Sequence, residues 1–577
     1  MEERNMKIFI LILLTLTTTK SFPSPPWQVD SSLPGQVLCE THNNREICLA
    51  NGQNKNVYNL GENELQHALE EGAKFALNYP VEVTRLRLPV ESMEKYFSED
   101  TDNPLRKLFF KIGKQISQFN SFKDIFKWLG LHEYPKFVEE FGPNLIPDMP
   151  NIQDKYSMGA SIIRNAHGEE SMSFSCATCH SENLFGTKVM GLTNRFPRAN
   201  EAFLLGKKVL QSTPEFLYKL VLNPSNHDLS IFNESKSAMG FVGVVKPQTL
   251  GLDTSLPQVA ISLHKRQKDE YATLKHPRRR AAHPLEKRPA DSKPAVWWNL
   301  KYKTKWLSDG SIVSGNPIHT NFLWNEIGRG VDLKQLELWL TKNKQKVKDL
   351  TSYVFYTEAP KFNEFFPNKI NIVNAKRGQK LFQRNCSSCH GKYEKNWDHF
   401  NSDEMSYSKL IETNQVWYHA KTKTINVGTD PYRFQGMRYF YKDLNRLKIS
   451  KSIGTVVKPQ DGYIPPPLVG IWSRWPYFHN NSVPSLYQVL TPEEKRMKSY
   501  IAVSAEDKEL DFDIATNGYP EQEKVREPFR SNKDYHFDTT KPGMSNMGHS
   551  FMLKNKDGSE KFSHQDKLDL IQFLQTL

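Results

Sequence analysis

Cys386-Ser387-Ser388-Cys389-His390 sets two thiols three positions apart with a histidine directly behind them, and the pattern recurs as Cys176-Ala177-Thr178-Cys179-His180. With 6 cysteines and 17 histidines in 577 residues, a chance C-x-x-C-H match is expected at a frequency on the order of 10⁻³. Two matches therefore mark chemistry. Two thiols on one helical turn reach both vinyl groups of a single porphyrin and form thioethers, while the adjacent histidine turns beneath the ring to bind iron. A C-x-x-C pair also serves as a thioredoxin-like redox couple or as half of a Cys₄ zinc site. Neither use explains a histidine after both pairs, and a zinc ribbon brings its pairs much closer than positions 179 and 386. The expected cofactors are two covalently bound c-type haems, with His180 and His390 as iron ligands.

The rest of the composition bounds the setting. A chain of this length exceeds one ordinary core and predicts two to four domains. A net charge of +13 favours an acidic redox partner protein or an anionic surface over nucleic acid, for which no motif is present. Arg4 and Lys7 precede an apolar run from Ile8 to Leu16 and a polar stretch to Ser21, the order of a secretory signal over residues 1–22. The run is too short to span a bilayer, and no other stretch reaches about 18 apolar residues. The mature chain is thus expected to lack a transmembrane segment and to be periplasmic or secreted, where c-type haem is attached in bacteria. Export also permits Cys39 and Cys48 to close a small disulfide loop, free thiols being the alternative.

Residues 23–150 read as a helical N-terminal extension without chemistry. Glu62 to Tyr79 carries Leu65, Ala68, Ala73 and Ala76 at helical spacing. Leu105 to Leu129 sets Leu108, Phe109, Ile112, Ile116, Phe119 and Phe122 on one face, a stripe expected to face a core. Met158 to Arg164 is the expected entry helix of a first haem domain over 151–345. The segment with His276, Arg278, Arg279, Arg280 and Lys287 reads as a solvated loop, or as a docking patch for a redox partner. After a linker at 346–370, a second haem domain spans 371–577. Ser563 with Asp566 signals the start of its last helix, whose apolar side is Leu570, Ile571, Phe573, Leu574 and Leu577.

The halves echo each other. Asp332 to Leu340 matches Asp566 to Leu574. Pro294 through Trp306 and Asp309-Gly310-Ser311 runs at the same internal spacing as Pro465 through Tyr477 and Asn480-Asn481-Ser482. Each piece lies after its own C-x-x-C-H, which points to a diverged duplication. In this register His479 faces Ser308, so the two haem environments differ.

Ala375 to Phe382, with Gly378 ahead of Cys386, resembles the entry helix of class I cytochromes c. With the paired C-x-x-C-H motifs, Trp297-Trp298, Asp461-Gly462-Tyr463, Trp472 to His479 and Gly548-His549, the chain resembles the di-haem cytochromes c related to bacterial cytochrome c peroxidases, most closely the branch containing rubber oxygenase. The resemblance covers roughly residues 155–577, and the haem motifs alone in it are specific. It implies a mainly α fold, with two cytochrome c-like haem domains in tandem, the N-terminal extension and long loops. It also implies that His549 is the second axial ligand of the second haem, that Tyr463 lies between or near the haems, and that Trp297, Trp298 and Trp306 lie on the first haem's distal side. Core packing is the alternative for the tryptophans, and a structural role is expected for His479. No position matches the peroxidases' catalytic carboxylate.

The expected function is redox chemistry. One haem relays electrons while the other activates peroxide or dioxygen, with a small oxidant or a hydrophobic substrate. The alternative is a non-enzymatic electron carrier with both haems six-coordinate, for which Met190, His167 and His319 are the candidate sixth ligands of the first. Serine at both Cys386 and Cys389 is expected to leave one covalently bound haem by pyridine haemochrome assay; two persisting would refute the attachment.

Overall fold

The computed structural model describes residues 39–42, 45–48, 55–79, 81–136, 143–266, 269–275, 281–419 and 421–577. The signal segment and His276, Arg278, Arg279 and Arg280 lie outside them; Lys287 is exposed. The fold is mostly helical, 44% helix against 10% strand, with no barrel. Its strands form two- and three-stranded pieces. One hairpin pairs Cys39–His42 with Arg45–Cys48, and its register sets Cys39 opposite Cys48. No described helix is long and apolar enough to cross a membrane.

The helix Ile372–Asn385 begins at Asn371, whose side chain accepts from the Asn374 N–H. It crosses the helix His564–Leu574, which starts with the expected Ser563–Asp566 capping box. At the crossing Gly378 lies so close to its partner that a Cβ would drive into the Asp569 carbonyl. Phe382 packs on Phe573 with ring centres 5.3 Å apart, and Arg377 holds the Asp569 carboxylate at 2.8 Å. The same arrangement occurs between Glu62–Leu77 and Lys344–Tyr356. There Gly72 abuts the Asp349 carbonyl, and Leu350, Tyr353 and Val354 are buried as Leu570, Phe573 and Leu574 are in the other pair.

Around this second crossing four expectations are corrected. Residues 160–164 are not an entry helix but a strand, Ala160–Arg164, paired with Glu170–Phe174. Ile162 and Ile163 suit a strand, and the Asn165 side chain accepts from the His167 and Glu169 N–H groups to turn the chain back at Gly168, φ 82°. Asp332 does cap a helix, Leu333–Lys342, but the helix that crosses the glycine is the next one. The stretch expected to be a linker, 346–370, therefore begins within that buried helix. Its partner, Glu62–Leu77, belongs to the same core rather than to a separate extension. The sequence conceals the pair because Gly378 precedes Cys386 by eight residues, whereas Gly72 precedes Cys176 by more than a hundred.

A fifth expectation concerns Leu105 to Leu129, which forms two helices, Pro104–Ser117 and Phe122–Leu129, broken where Gln118 is left-handed and Ser121 caps the second. Phe122 is buried and Phe119 partly so, but Leu108, Phe109, Ile112 and Ile116 face outward.

Buried side chains form two cores. One gathers around Glu62–Leu77 and Lys344–Tyr356, the other around Ile372–Asn385 and His564–Leu574. They exchange segments. Met437, Phe440, Leu444 and Ile449 join the first core, where Phe440 meets Trp324 edge-on at 5.5 Å, while Leu184, Val189 and Leu192 join the second.

A valine at Gly378 must separate two backbones in contact. Its expected cost is about 3 kcal/mol, read as a lower midpoint in urea unfolding at unchanged slope.

Candidate functional site

Both C-x-x-C-H motifs fold as a single helical turn, Ala177–His180 and Ser387–His390. In each the histidine N–H donates to the carbonyl of the first cysteine, at 3.1 Å for His180 and 3.0 Å for His390. That turn aims both thiols and the imidazole into one cavity, of about 290 Å³ at the first motif and about 280 Å³ at the second. Burial pushes the Cys176 and Cys386 thiols up to about 12. Among the described residues no group of three or more His, Cys, Asp or Glu side chains gathers as a metal site.

The Nδ1 of His390 lies 2.9 Å from the Pro466 carbonyl. A proton donated there leaves Nε2 as the metal-binding nitrogen. The His180 ring faces the Ala295 carbonyl, and Ala295 stands in the Pro294–Trp306 stretch where Pro466 stands in Pro465–Tyr477. The echo extends to the backbone. Trp306 bridges to Ile312 as Tyr477 does to Val483. Leu307 and Phe478 have φ of 66° and 65°, and Gly310 and Asn481 have 66° and 59°.

Opposite His390 stands His549. Their ring centres are 6.3 Å apart with planes at 86°. Two imidazoles bound from opposite sides of one metal, each through a bond of about 2 Å with the ring centre roughly 1.1 Å behind the nitrogen, have centres about 6.3 Å apart. The pair thus fits a six-coordinate haem iron. The backbone puts His549 there. Gly548 at φ 108° packs against the Thr429 backbone, and His549 itself is left-handed at φ 64°. Its N–H donates to the Val427 carbonyl at 2.9 Å, and Phe478 meets its ring edge-on at 5.5 Å.

The first cavity is different. Among the described residues lining it, His180 is the one histidine and there is no methionine; Trp306, Ile312, Ile318, Phe322 and Val354 are among its walls. Of the sixth-ligand candidates, Met190 is core-buried on the strand Thr187–Met190, and His167 is exposed in the Asn165–Gly168 turn. His319 sits on the helix Pro317–Gly328 without reaching the cavity.

The three tryptophans separate. Trp297 packs against the His180 ring, centres 5.3 Å apart, so it lies beside that imidazole rather than across from it. Trp298 is outside both cavities, its Nε1 donating to the Val469 carbonyl at 3.0 Å. Trp306 lines the first cavity and donates to the Gly315 carbonyl at 3.0 Å. Tyr463 lines the second. Its hydroxyl donates to the Asp430 carbonyl at 2.5 Å and lies 2.9 Å from His479 Nε2, with the two rings stacked at 4.0 Å.

Sequence reasoning missed two features. Lys293, Pro294, Ala295, Val296 and Ser308 line both cavities, so one backbone layer divides them. Three cations, the buried Lys303 and the half-buried Lys293 and Arg474, border the second cavity. Lys293 donates to the Arg474 and Pro476 carbonyls at 3.0 and 2.5 Å. Burial drives its ammonium far below its ordinary range, and burial with the Arg474 charge brings Lys303 to about 7. Cations desolvated in this way are matched by anionic oxygens, which a haem carries on its two propionates. The 294/465 echo had paired Lys303 with Arg474, a signal that went unread. On the first cavity, Arg433 is buried against Asp309 at 3.4 Å.

A family model described as RoxA-like, cytochrome c-like matches residues 462–501. A cytochrome c-like domain implies a covalently bound c-type haem and a redox function. Two proteins of Sinorhizobium fredii (strain NBRC 101917 / NGR234), both described as uncharacterised, are similar. The protein y4iJ is 25% identical over 260 residues, 36% of this chain and 39% of its own length. The protein y4iM is 23% identical over 133 residues, 22% of this chain and 31% of its own. The chain thus spans about a third of the length of these relatives.

Alanine at Asp309 strands a buried guanidinium and also removes the acceptor of the Ser311 N–H and hydroxyl. The expected loss is about 3 kcal/mol in urea unfolding.

Proposed function

We propose that the chain is an exported di-haem c-type cytochrome of two cytochrome c-like units. The second haem, held by Cys386, Cys389, His390 and His549, relays electrons, and the first, held by Cys176, Cys179 and His180, activates peroxide or dioxygen. One observation carries the reading: a second histidine stands 6.3 Å across from His390, whereas the cavity at His180 offers neither a second histidine nor a methionine. An iron with a free coordination position supplies the binding and reductive activation of the oxidant.

The protein's own residues set up that difference. The Pro466 carbonyl orients the His390 imidazole and so sets the nitrogen it offers, and the Ala295 carbonyl faces the His180 ring at the matching position. Trp297 restrains the His180 ring from the side. Trp306, Ile312 and Phe322 give the first cavity an apolar wall against which a hydrophobic substrate can pack, while Asn200, Gln258 and Asn325 add polar groups to the same lining. Lys293, Lys303 and Arg474, which border the second cavity, would pair with the propionates of a haem bound there. The stretch Lys293–Val296, shared by both cavities, would stand between haems bound in them, an arrangement that suits electron transfer from one to the other. Met190, His167 and His319 all lie away from the first cavity, which weighs against an electron carrier with both irons capped. The chain's net positive charge suits an acidic electron donor.

Electron paramagnetic resonance of the ferric protein is expected to give one high-spin and one low-spin signal. Two low-spin signals would overturn the open first site. In His549→Ala the low-spin component is expected to convert to high-spin with both haems retained; an unchanged spectrum would remove His549 as a ligand.

A further inference from the structure

The helix Pro104–Ser117 turns its apolar side to solvent. Leu105, Leu108, Phe109, Ile112 and Ile116 share one face at helical spacing and are 38–80% exposed. The helix cannot roll to bury them. It is docked through another stripe, where Phe110 meets Tyr96 edge-on at 5.5 Å and Gly113 closes on the Tyr96 hydroxyl. The adjoining helix Glu215–Leu222 is tied to it by Arg106, which donates to the Leu220 carbonyl at 2.8 Å. Phe216, 71% exposed, and Leu220, 47% exposed, add to the apolar surface.

The helix itself bears charges of one sign, and on the adjoining helix Glu215 is paired with Lys219 at 2.5 Å. The helix carries Arg106, Lys107, Lys111 and Lys114 and no Asp or Glu. Glu99, just ahead of it, is engaged by Lys114 at 2.8 Å, which leaves Lys107 and Lys111 flanking the apolar face. We propose that this face seats the protein on an anionic lipid bilayer surface, the leucine, isoleucine and phenylalanine side chains entering the acyl boundary and the lysines reaching the headgroup phosphates. An apolar stripe bordered by lysine and arginine, on a helix too short to span, is the pattern of a helix lying in a bilayer interface. A second copy of the chain is the poorer occupant, because a two-fold contact sets the same cations against one another. The inference is independent of how the haem irons are ligated.

The test is co-sedimentation of the mature holoprotein with phosphatidylcholine vesicles and with vesicles that also contain phosphatidylglycerol. Binding is expected with the anionic vesicles, weakened about tenfold or more by Leu108→Glu with Ile116→Glu. Lys107→Glu with Lys111→Glu is expected to abolish the preference for anionic lipid. These side chains are solvent-exposed, so the variants should keep the wild-type haem absorption and thermal midpoint. Equal sedimentation of wild type and the Leu108/Ile116 variant would overturn the proposal. So would a wild-type dimer in light scattering that the same variant dissociates, since the face would then belong to a second copy.

Discussion

The contact on which the rest of the molecule depends is a glycine against a carbonyl. At Gly378 and again at Gly72 two helices cross with their backbones touching, at Asp569 and Asp349. A side chain at either glycine would hold the helices apart. Each crossing anchors one of the two cores, and each core carries a cavity into which a C-x-x-C-H turn points. The cysteines are useful only because that scaffold holds their turn against the cavity.

Two copies of one plan have been given different chemistry by few residues. The backbone of 306–311 retraces that of 477–482, down to paired left-handed residues. What differs is what fills the space opposite the ligating imidazole. In the second cavity a left-handed Gly548-His549 pair, anchored on Val427, delivers a second imidazole. In the first, apolar walls alternate with polar side chains such as Asn200, Gln258 and Asn325, and the described lining residues include no second histidine and no methionine. Reactivity at a haem follows what can approach the iron, and this difference in lining is what supports the proposed division into a relay and a reaction centre.

The cavities are neither isolated nor neutral. Their common wall, Lys293 to Val296, runs between two cores that trade segments, so neither half is a closed unit. The cations Lys293, Lys303 and Arg474 are desolvated there and lean on backbone carbonyls and on one another's surroundings. Such a cluster is costly without an anionic counterpart, and the propionates of a bound cofactor are the natural one.

Much was legible in the chain. The five-residue motifs are local chemistry, readable because thioether attachment and ligation depend on spacing within one turn. The final helix announced itself through Ser563, Asp566 and its apolar side, and the 294/465 echo was visible as spacing. Other features depended on contacts between residues distant in the chain. Glu62–Leu77 could be recognised as an entry helix once its crossing with Lys344–Tyr356 was known, since more than a hundred residues part it from its motif. The helical stripe Leu108 to Ile116 carries the same pattern whether it faces a core or solvent, because periodicity records amphipathicity and not direction. The distance from His390 to His549, the lack of an equivalent at His180, and the position of Trp297 beside its imidazole are likewise properties of packing. A sequence names the groups able to bind a metal, but packing sets which of them meet.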